Sequence, residues 1–198
     1  RDHQAQGDIL ISRGKIIDPG GEKRQDAEIV IDATDCLVLP GLIDFHAHIF
    51  PGGTEMGVPA DATFLPQGIT AVVDGGSAGP ANYEAFFHEV IMRNQIRILS
   101  LLNVSAAGLV TTAYPENVDP KYFNFSGIED LLHRFGNYIL GLKLRQSMEI
   151  VGELGIKPVQ RVLEIADSIG CRIVVHMTNP PCPPDEIARL LRKGDVFC

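Results

Sequence analysis

Apolar positions along the chain fall into two regimes. From Asp8 to Leu39 they come in short bursts: Asp8–Ser12, a turn at Arg13-Gly14, then Lys15–Asp18, a break at Pro19-Gly20-Gly21, then Ala27–Ile31 and Cys36–Leu39. Short β-branched runs punctuated by turn residues predict a small β-sheet. A sheet of this size needs a larger body to pack against. From Leu42 the pattern changes to strands alternating with helix-length segments. The apolar runs are Leu42–Ala47, Ile69–Asp74, Ile96–Val104, Tyr138–Leu144, Arg172–His176 and Asp195–Cys198. Between them, Tyr83, Phe86, Phe87, Val90 and Ile91 recur at i, i+3, i+4, i+7 and i+8, the apolar stripe of a helix. Val162, Leu163, Ala166 and Ile169 form a second stripe, with Pro158 suited to a first turn and Gly170 to a C-terminal cap. Pro184 opens a third helix through Ile187, Leu190 and Leu191.

Strand–helix alternation of this kind predicts an α/β fold with a parallel sheet. Either a (β/α)8 barrel or an open doubly wound sheet satisfies it. The organisation expected is a small β domain over residues 1–40 and a (β/α) body over 41–198. No internal repeat or low-complexity segment is visible. About six strands are legible where a barrel needs eight, and such barrels run to about 250 residues. The last residues, Gly194 to Cys198, read as the middle of a strand, so a barrel is expected to be truncated around its sixth strand.

Composition narrows the partners. An apolar share of 45% and a charged share of 21% are ordinary for a globular chain with a real core, so bulk disorder is not expected. Lys plus Arg number 17 against 25 Asp plus Glu, a net charge of −8. The densest basic stretch, Arg189 to Lys193, holds only Arg189, Arg192 and Lys193. Nucleic acid and anionic membrane surfaces are therefore disfavoured as partners. A small-molecule substrate is the expectation, and a homo-oligomer stays open. Cys36, Cys171, Cys182 and Cys198 form no CxxC pair, which favours a reduced, cytoplasmic setting over a zinc ribbon or thioredoxin-type reading. Arg1 to Gly7 lacks the apolar region of a signal peptide, and no apolar run is long enough to span a membrane. The chain begins without Met, which leaves open that something precedes it.

Candidate chemistry sits at strand ends. In Pro40-Gly41-Leu42-Ile43-Asp44-Phe45-His46-Ala47-His48, the two histidines are two residues apart, so on a strand they share a face. Two neutral imidazoles on one rigid strand form half of a zinc site. HxH spacing alone is weak, but the PGLID run suggests a buried strand whose end would present both rings. Asp44 shares their parity and is a candidate to orient an imidazole. In Tyr138-Ile139-Leu140-Gly141-Leu142-Lys143-Leu144-Arg145, the leucines form one face and Ile139, Gly141, Lys143 and Arg145 the other. A lysine pointing into a barrel must be paired, neutralised or modified. Carboxylation by CO2 is one such resolution, against the commoner case of a strand-end lysine reaching solvent. His176 closes Arg172–His176, a third strand end. Alone it would be structural, but three strand ends carrying His46 and His48, Lys143 and His176 form a pattern.

On these residues the chain resembles the amidohydrolase superfamily, in particular the dihydroorotase-like metal-dependent deacetylases. The resemblance extends from the Asp8–Leu39 segment to the final residues. It implies a (β/α)8 TIM-type barrel with a small flanking β-sandwich and a site of two divalent metal ions, zinc by expectation. His46, His48 and His176 would be ligands, and carboxylated Lys143 would bridge the metals. It also implies a hydrolase that cleaves an amide or ester by a metal-bridging hydroxide, a deacetylase acting on a small acid being preferred. A histidine on the sixth barrel strand and an aspartate after the eighth are implied too, and neither has a counterpart in these 198 residues. One departure matters. Dihydroorotases and hydantoinase-like relatives carry an HxHxR-type first strand, and here Phe50 stands where the arginine would be. A cyclic amidase of that kind is the enzymatic alternative, and a metal-free scaffold the non-catalytic one.

Arg145, inward like Lys143, is a candidate catalytic residue that would contact substrate or developing negative charge, against a plain rim salt bridge. Ser77, in the turn-like Gly75-Gly76-Ser77-Ala78-Gly79-Pro80 segment, Asn103 and Asn179 are candidates for substrate binding, against roles as turn and backbone caps. His3 reads as a tail residue, and His88 and His133 as helix-surface residues.

Overall fold

A computed structural model of the chain describes residues 7–17 and 27–198. The readings placed on His3, Asp18 and Pro19-Gly20-Gly21 lie outside the described residues. Two compact units are present, Arg1–Leu39 and Pro40–Cys198.

In the first unit, β1 (Leu10–Ser12) and β2 (Lys15–Ile17) pair antiparallel, with Ile11 opposite Ile16. Arg13 and Gly14 between them both take positive φ, 52° and 71°. A two-residue hairpin loop requires that pair of left-handed conformations to match the twist of its strands. The strands expected at Ala27–Ile31 and Cys36–Leu39 do not form. The turn between them does, closed by Asp32 accepting from the backbone and hydroxyl of Thr34 and by Cys36 N–H donating to Ala33 C=O. β-branched residues favour extended backbone, but a strand also needs a partner ladder. Ile29, Val30 and Ile31 have none among the described residues and are almost fully exposed. The hairpin is the only paired element described in this unit, and a flanking sandwich is not built from it.

The second unit is a six-stranded, wholly parallel sheet in strict chain order: β3 (Leu42–Ala47), β4 (Ile69–Asp74), β5 (Arg97–Asn103), β6 (Ile139–Arg145), β7 (Arg172–His176) and β8 (Val196–Phe197). Sequential order without a reversal excludes the doubly wound alternative, whose strands run outward in both directions from a switch point. The sheet curls, because Cys198, just past the last strand, comes within 3.3 Å of His46 on the first. It is an incomplete TIM-type barrel.

Side-chain alternation divides the apolar residues into two layers. Val73, Leu101 and Val174, with Leu99 and Val196, fill the concave face. Val72, Ile98, Leu102, Leu142, Leu144, Ile173 and Val175 point outward into the main core. There they meet α2 (Tyr83–Phe86), α3 (Phe125–Phe135), α5 (Lys157–Ile169) and α6 (Pro184–Leu190), numbered with α1 (Ala60–Phe64) and α4 (Met148–Val151) in chain order. The Tyr83–Ile91 stripe forms as α2 running into a π-helical turn at Phe87–Ile91. α5 has Pro158 in its first turn, and Gly170 (φ 70°) closes it by donating to Ala166 and Asp167 carbonyls. α6 ends at Leu190, with Leu191 as its extended cap. α3 has no apolar stripe assigned from the sequence and is foreshadowed there only by His133 as a helix-surface residue. Asn124 caps it through the Gly127 N–H, and Ile128, Leu131 and Phe135 bury its inner face.

One expectation needs correcting. β3 is not a buried strand: it has a single neighbour, and Leu42, Ile43 and Phe45 are each at least half exposed. As an edge strand it lacks, among the described residues, the second neighbour that would cover it.

Candidate active site

The C-terminal ends of the strands bring together side chains separated by up to 152 positions in sequence. His46 is the fifth residue of β3 and His48 lies just past its end, Lys143 lies on β6, and His176 is the last residue of β7. Lys143 Nζ sits 3.4 Å from His46 Nε2. The His46 ring centroid is 5.6 Å from that of His48 and 5.9 Å from that of His176. Lys143 is 1% exposed, yet its amine meets no carboxylate at ion-pair distance among the described residues.

Two glycines make room for this convergence. A methyl group at Gly75 would lie 2.4 Å from His46 Cδ2, 2.7 Å from His46 Nε2 and 3.3 Å from His48 Cε1. One at Gly76 (φ 89°) would lie 2.7 Å from both Cβ and Cγ of Lys143. Gly-Gly after β4 is therefore a close-approach surface for the imidazoles and the lysine stem.

Burial pushes the three imidazoles and the Lys143 amine toward their neutral forms. His46 and His48 are lowered from 6.5 to about 4, by desolvation first and by the Lys143 charge second. His176 is lowered for the same reasons, and Lys143 falls to about 8 through burial. At neutral pH the imidazoles therefore offer lone pairs with little bound proton to displace, suited to holding a divalent cation, while the amine gives up its proton far more readily than an ordinary lysine.

A buried carboxylate supports one member of the cluster. Asp74, fully buried at the end of β4, accepts from the backbone N–H of Ile49 (3.0 Å), Gly76 (3.0 Å) and Ser77 (2.6 Å), and from Ser77 Oγ (2.7 Å). Burial pushes its carboxyl upward against the pull of these bonds. Three backbone donors that can only donate suit the ionised form. Ser77 Oγ also lies 2.9 Å from His48 Nδ1. A serine has one hydrogen, and here it goes to Asp74, so Nδ1–H of His48 donates to the hydroxyl oxygen. That leaves Nε2 of His48 as the lone pair.

This geometry redefines several sequence candidates. Ser77, expected in substrate contact, is fully buried and supports His48 instead. Asn103, also expected there, is 1% exposed and ties loops together, donating to Gly76 C=O (3.0 Å) and accepting from Ser105 N–H (2.9 Å). Asn179 is exposed, and its carbonyl accepts from Met148 N–H. Asp44, a candidate to orient an imidazole, accepts through its carboxylate from the backbone N–H of His46. Arg145 is partly buried and donates through Nη1 to Glu116 Oε2 at 3.1 Å. Phe50 is a core residue tilted against Phe86, ring centroids 5.0 Å apart. His88 and His133 lie exposed on or beside helices.

Three residues were missed. Asp74 was legible only as a strand end, although an Asp before Gly-Gly-Ser is a signal for side-chain capping of a turn. Glu116 lies in a loop with no periodic pattern. Cys198 was judged by CxxC spacing, whereas its position follows from parallel register: Val174 pairs with Val196, Val175 with Phe197, and the next pair is His176 with Cys198. Donor atoms of His46, His176 and Cys198 all fall within 4.8 Å of one another.

No family model matches the chain. Among curated proteins, it is 35% identical to the deacetylase Atu3266 of Agrobacterium fabrum over 98% of this chain and 48% of that protein. It is 33% identical to a deacetylase of Brucella anthropi over 97% of this chain and 48% of that one. The chain thus spans about half the length of the curated relatives it matches. Among solved structures, a dihydroorotase superposes with a TM-score of 0.72 at 34% identity, covering 79% of this chain and 42% of that one. An adenine deaminase superposes with a TM-score of 0.71 at 27% identity over the same shares.

Proposed function

We propose that this homologue of the amidohydrolase-superfamily deacetylases carries the strand-end half of a metal-dependent hydrolase site, and that the whole protein removes an acetyl group from a small acid. The observation that carries the reading is the gathering of the His48 and His176 rings around His46, whose Nε2 lies 3.4 Å from the buried amine of Lys143, an amine with no carboxylate at ion-pair distance among the described residues. A buried lysine without a counterion is costly, and neutralisation or modification removes the cost. His46, His48 and His176 would hold divalent cations as nitrogen ligands, zinc by the chemistry of those ligands, and Lys143 would join them as an oxygen ligand once carboxylated. Such ions, when bound, polarise an acyl carbonyl and make a nucleophile accessible at neutral pH.

The chain's own residues do the rest. Asp74 and Ser77 hold His48 in the tautomer that presents Nε2. The concave apolar layer of Val73, Leu101 and Val174 closes the floor beneath the cluster and keeps water from below. Arg145 stands at the end of the strand that carries Lys143, where it meets an anionic group on the substrate. The (β/α)8 barrel, the flanking β-sandwich and the domain boundary near residue 40 belong to this same reading. A cytoplasmic location does as well. Among the described residues no helix is long and apolar enough to cross a membrane.

A cyclic amidase is the second reading, favoured by the superposition on a dihydroorotase. Phe50 weighs against it, since it is packed in the core and leaves no cation at that position. The test is metal analysis of the full-length protein with assays on N-acetyl amino acids, acetyl esters and dihydroorotate. About two metals per chain with release of acetate supports deacetylation. Turnover of dihydroorotate alone transfers support to the cyclic amidase, and a metal-free, inactive protein leaves only a scaffold.

A further inference from the structure

Glu116 presents a feature that the metal cluster does not account for. Its side chain is only 4% exposed. One oxygen, Oε2, accepts from Arg145 Nη1 at 3.1 Å, while Oε1 is buried with no hydrogen-bond partner. Burial raises its carboxyl, opposed first by its own backbone N–H and then by the charges of Arg145 and Lys143. A buried ion pair of this kind contributes little net stability, because desolvation offsets the attraction. A half-satisfied carboxylate is worse still. Stability alone is therefore a poor reason for an acid at this position.

The loop that carries Glu116 is anchored rather than free. Glu55, in the loop after β3, accepts from Thr111 Oγ1 (2.8 Å), Thr112 N–H (2.7 Å) and Thr112 Oγ1 (2.9 Å). Val118, two residues beyond Glu116, is in the core. Glu116 is thus a fixed point against which a guanidinium can be set. Arg145 lies two residues past Lys143 on the same strand, opposite His176 in register. Its charge is felt by both His48 and His176. The contact with Glu116 occupies one of its N–H groups, and the remainder have no acceptor among the described residues.

We propose that Glu116 is a positioning residue that holds Arg145 beside the histidine–lysine cluster, so that the guanidinium receives the carboxylate of an acylated small acid. The inference deepens the deacetylase reading and rests on it. An arginine fixed at one edge presents its other donors in a planar fork suited to a carboxylate. Without the fixed point, the side chain samples many rotamers, and the recognition is lost before the chemistry is.

The test uses the full-length, metal-loaded protein with two probes, N-acetylglycine, which carries a carboxylate, and 4-nitrophenyl acetate, which does not. Glu116→Ala should raise KM for N-acetylglycine about tenfold, the scale of one charge-assisted hydrogen bond, with kcat, metal content and 4-nitrophenyl acetate turnover held within about twofold. Glu116→Gln, whose carboxamide oxygen can still accept from Arg145, should recover most of that loss. In an Arg145→Ala background, Glu116→Ala should add less than about twofold, because a residue acting through another has no effect once its partner is gone. Additive losses, or equal losses on both probes, overturn the inference while leaving the hydrolase reading intact. A wild-type protein with no metal and no turnover overturns both.

Discussion

Replacing Gly75 by alanine tests whether the strand-end cluster is the working part of the molecule. Gly75 has no left-handed backbone to lose, so the substitution adds one methyl group and little backbone strain. That methyl would sit 2.4 Å from His46 Cδ2 and 2.7 Å from Nε2. Carbon atoms rest comfortably at about 3.5 Å, so the His46 ring must move by about 1 Å or the β4 terminus must yield. His46 is on an edge strand and open to solvent on one side, so the ring yields first. A displacement of about 1 Å at a reacting centre costs on the order of 10²-fold in rate. Overpacking costs about 1–3 kcal/mol where nothing can move, and the open side of His46 puts Gly75→Ala at the low end. The expected result is a folded protein, by circular dichroism and thermal melting, with metal affinity and turnover reduced about 100-fold. Competition against a chromogenic chelator reads the affinity directly. In a His46→Ala background the same methyl meets no ring atom closer than the 3.3 Å contact to His48, and it should be nearly neutral for folding. Wild-type metal affinity in Gly75→Ala would refute the reasoning, because it would mean that the imidazole does not need the place where the structure puts it.

Four further outcomes are expected. Ser77→Ala removes the acceptor of His48 Nδ1–H, and metal affinity should fall about 10–100-fold, the usual scale for losing the partner of a ligand imidazole; equal affinity in a chelator competition would remove Asp74 and Ser77 from the site. Lys143→Met fills the same volume with an apolar chain, so the protein should stay folded while bound metal drops below one per chain by elemental analysis; two retained metals would dismiss the bridging role. The metal-free protein should lose stability as pH falls from about 6.5 to about 4. In that window the unfolded chain protonates His46 and His48 and the folded chain does not. Denaturant midpoints across this range should flatten in a His46→Asn/His48→Asn variant, and an unchanged slope would contradict the burial of these rings. Gly170→Ala, at the left-handed cap of α5 (φ 70°), should destabilise by about 1 kcal/mol without touching metal binding; a loss of metal would show that the helix ends are coupled to the strand ends.

The legibility of this chain follows the range of each interaction. Strand and helix periodicities are local, so the six strands of the sheet emerge within a residue or two of their sequence positions, and Gly170 is recognisable as a cap. Face assignment is also local: the parity that sends Leu142 and Leu144 to the core sends Lys143 inward. Alternation alone left open whether the sheet is open or closed. That is decided by strand order, a property of the whole chain. β propensity misled at Ala27–Ile31, because pairing needs a partner that no local window contains. The partnerships of Asp74 with Ile49 and of Glu116 with Arg145 link positions 25 and 29 residues apart, and no spacing rule reaches them. Ser77 carries a hydroxyl that meets Asp74 and His48, which its sequence setting does not foretell, since a serine in a glycine-rich turn looks the same whether its hydroxyl faces a ligand or a buried carboxylate.

Burial is the cause common to the site's several features. Curling the sheet brings the ends of β3, β6, β7 and β8 into one small volume, and this withdraws water almost wholly from the amine and partly from the imidazoles. Withdrawal of water lowers their proton affinity, which leaves the imidazoles neutral donors to a cation at neutral pH and brings the amine nearer to losing its proton. The same crowding is why Gly75 and Gly76 must lack side chains, and why Asp74 can collect three backbone donors at the end of β4. A flatter sheet with the same residues would have solvated, protonatable histidines and an ordinary lysine. The chemistry proposed for this chain is therefore a property of its curvature, and substitutions that open the sheet, such as Val174→Asp in the concave layer, should restore ordinary proton affinity to His176 before they abolish the fold. Proton titration of the His176 ring by NMR in the metal-free protein checks this: a midpoint that stays depressed in such a variant would detach the site's electrostatics from its shape.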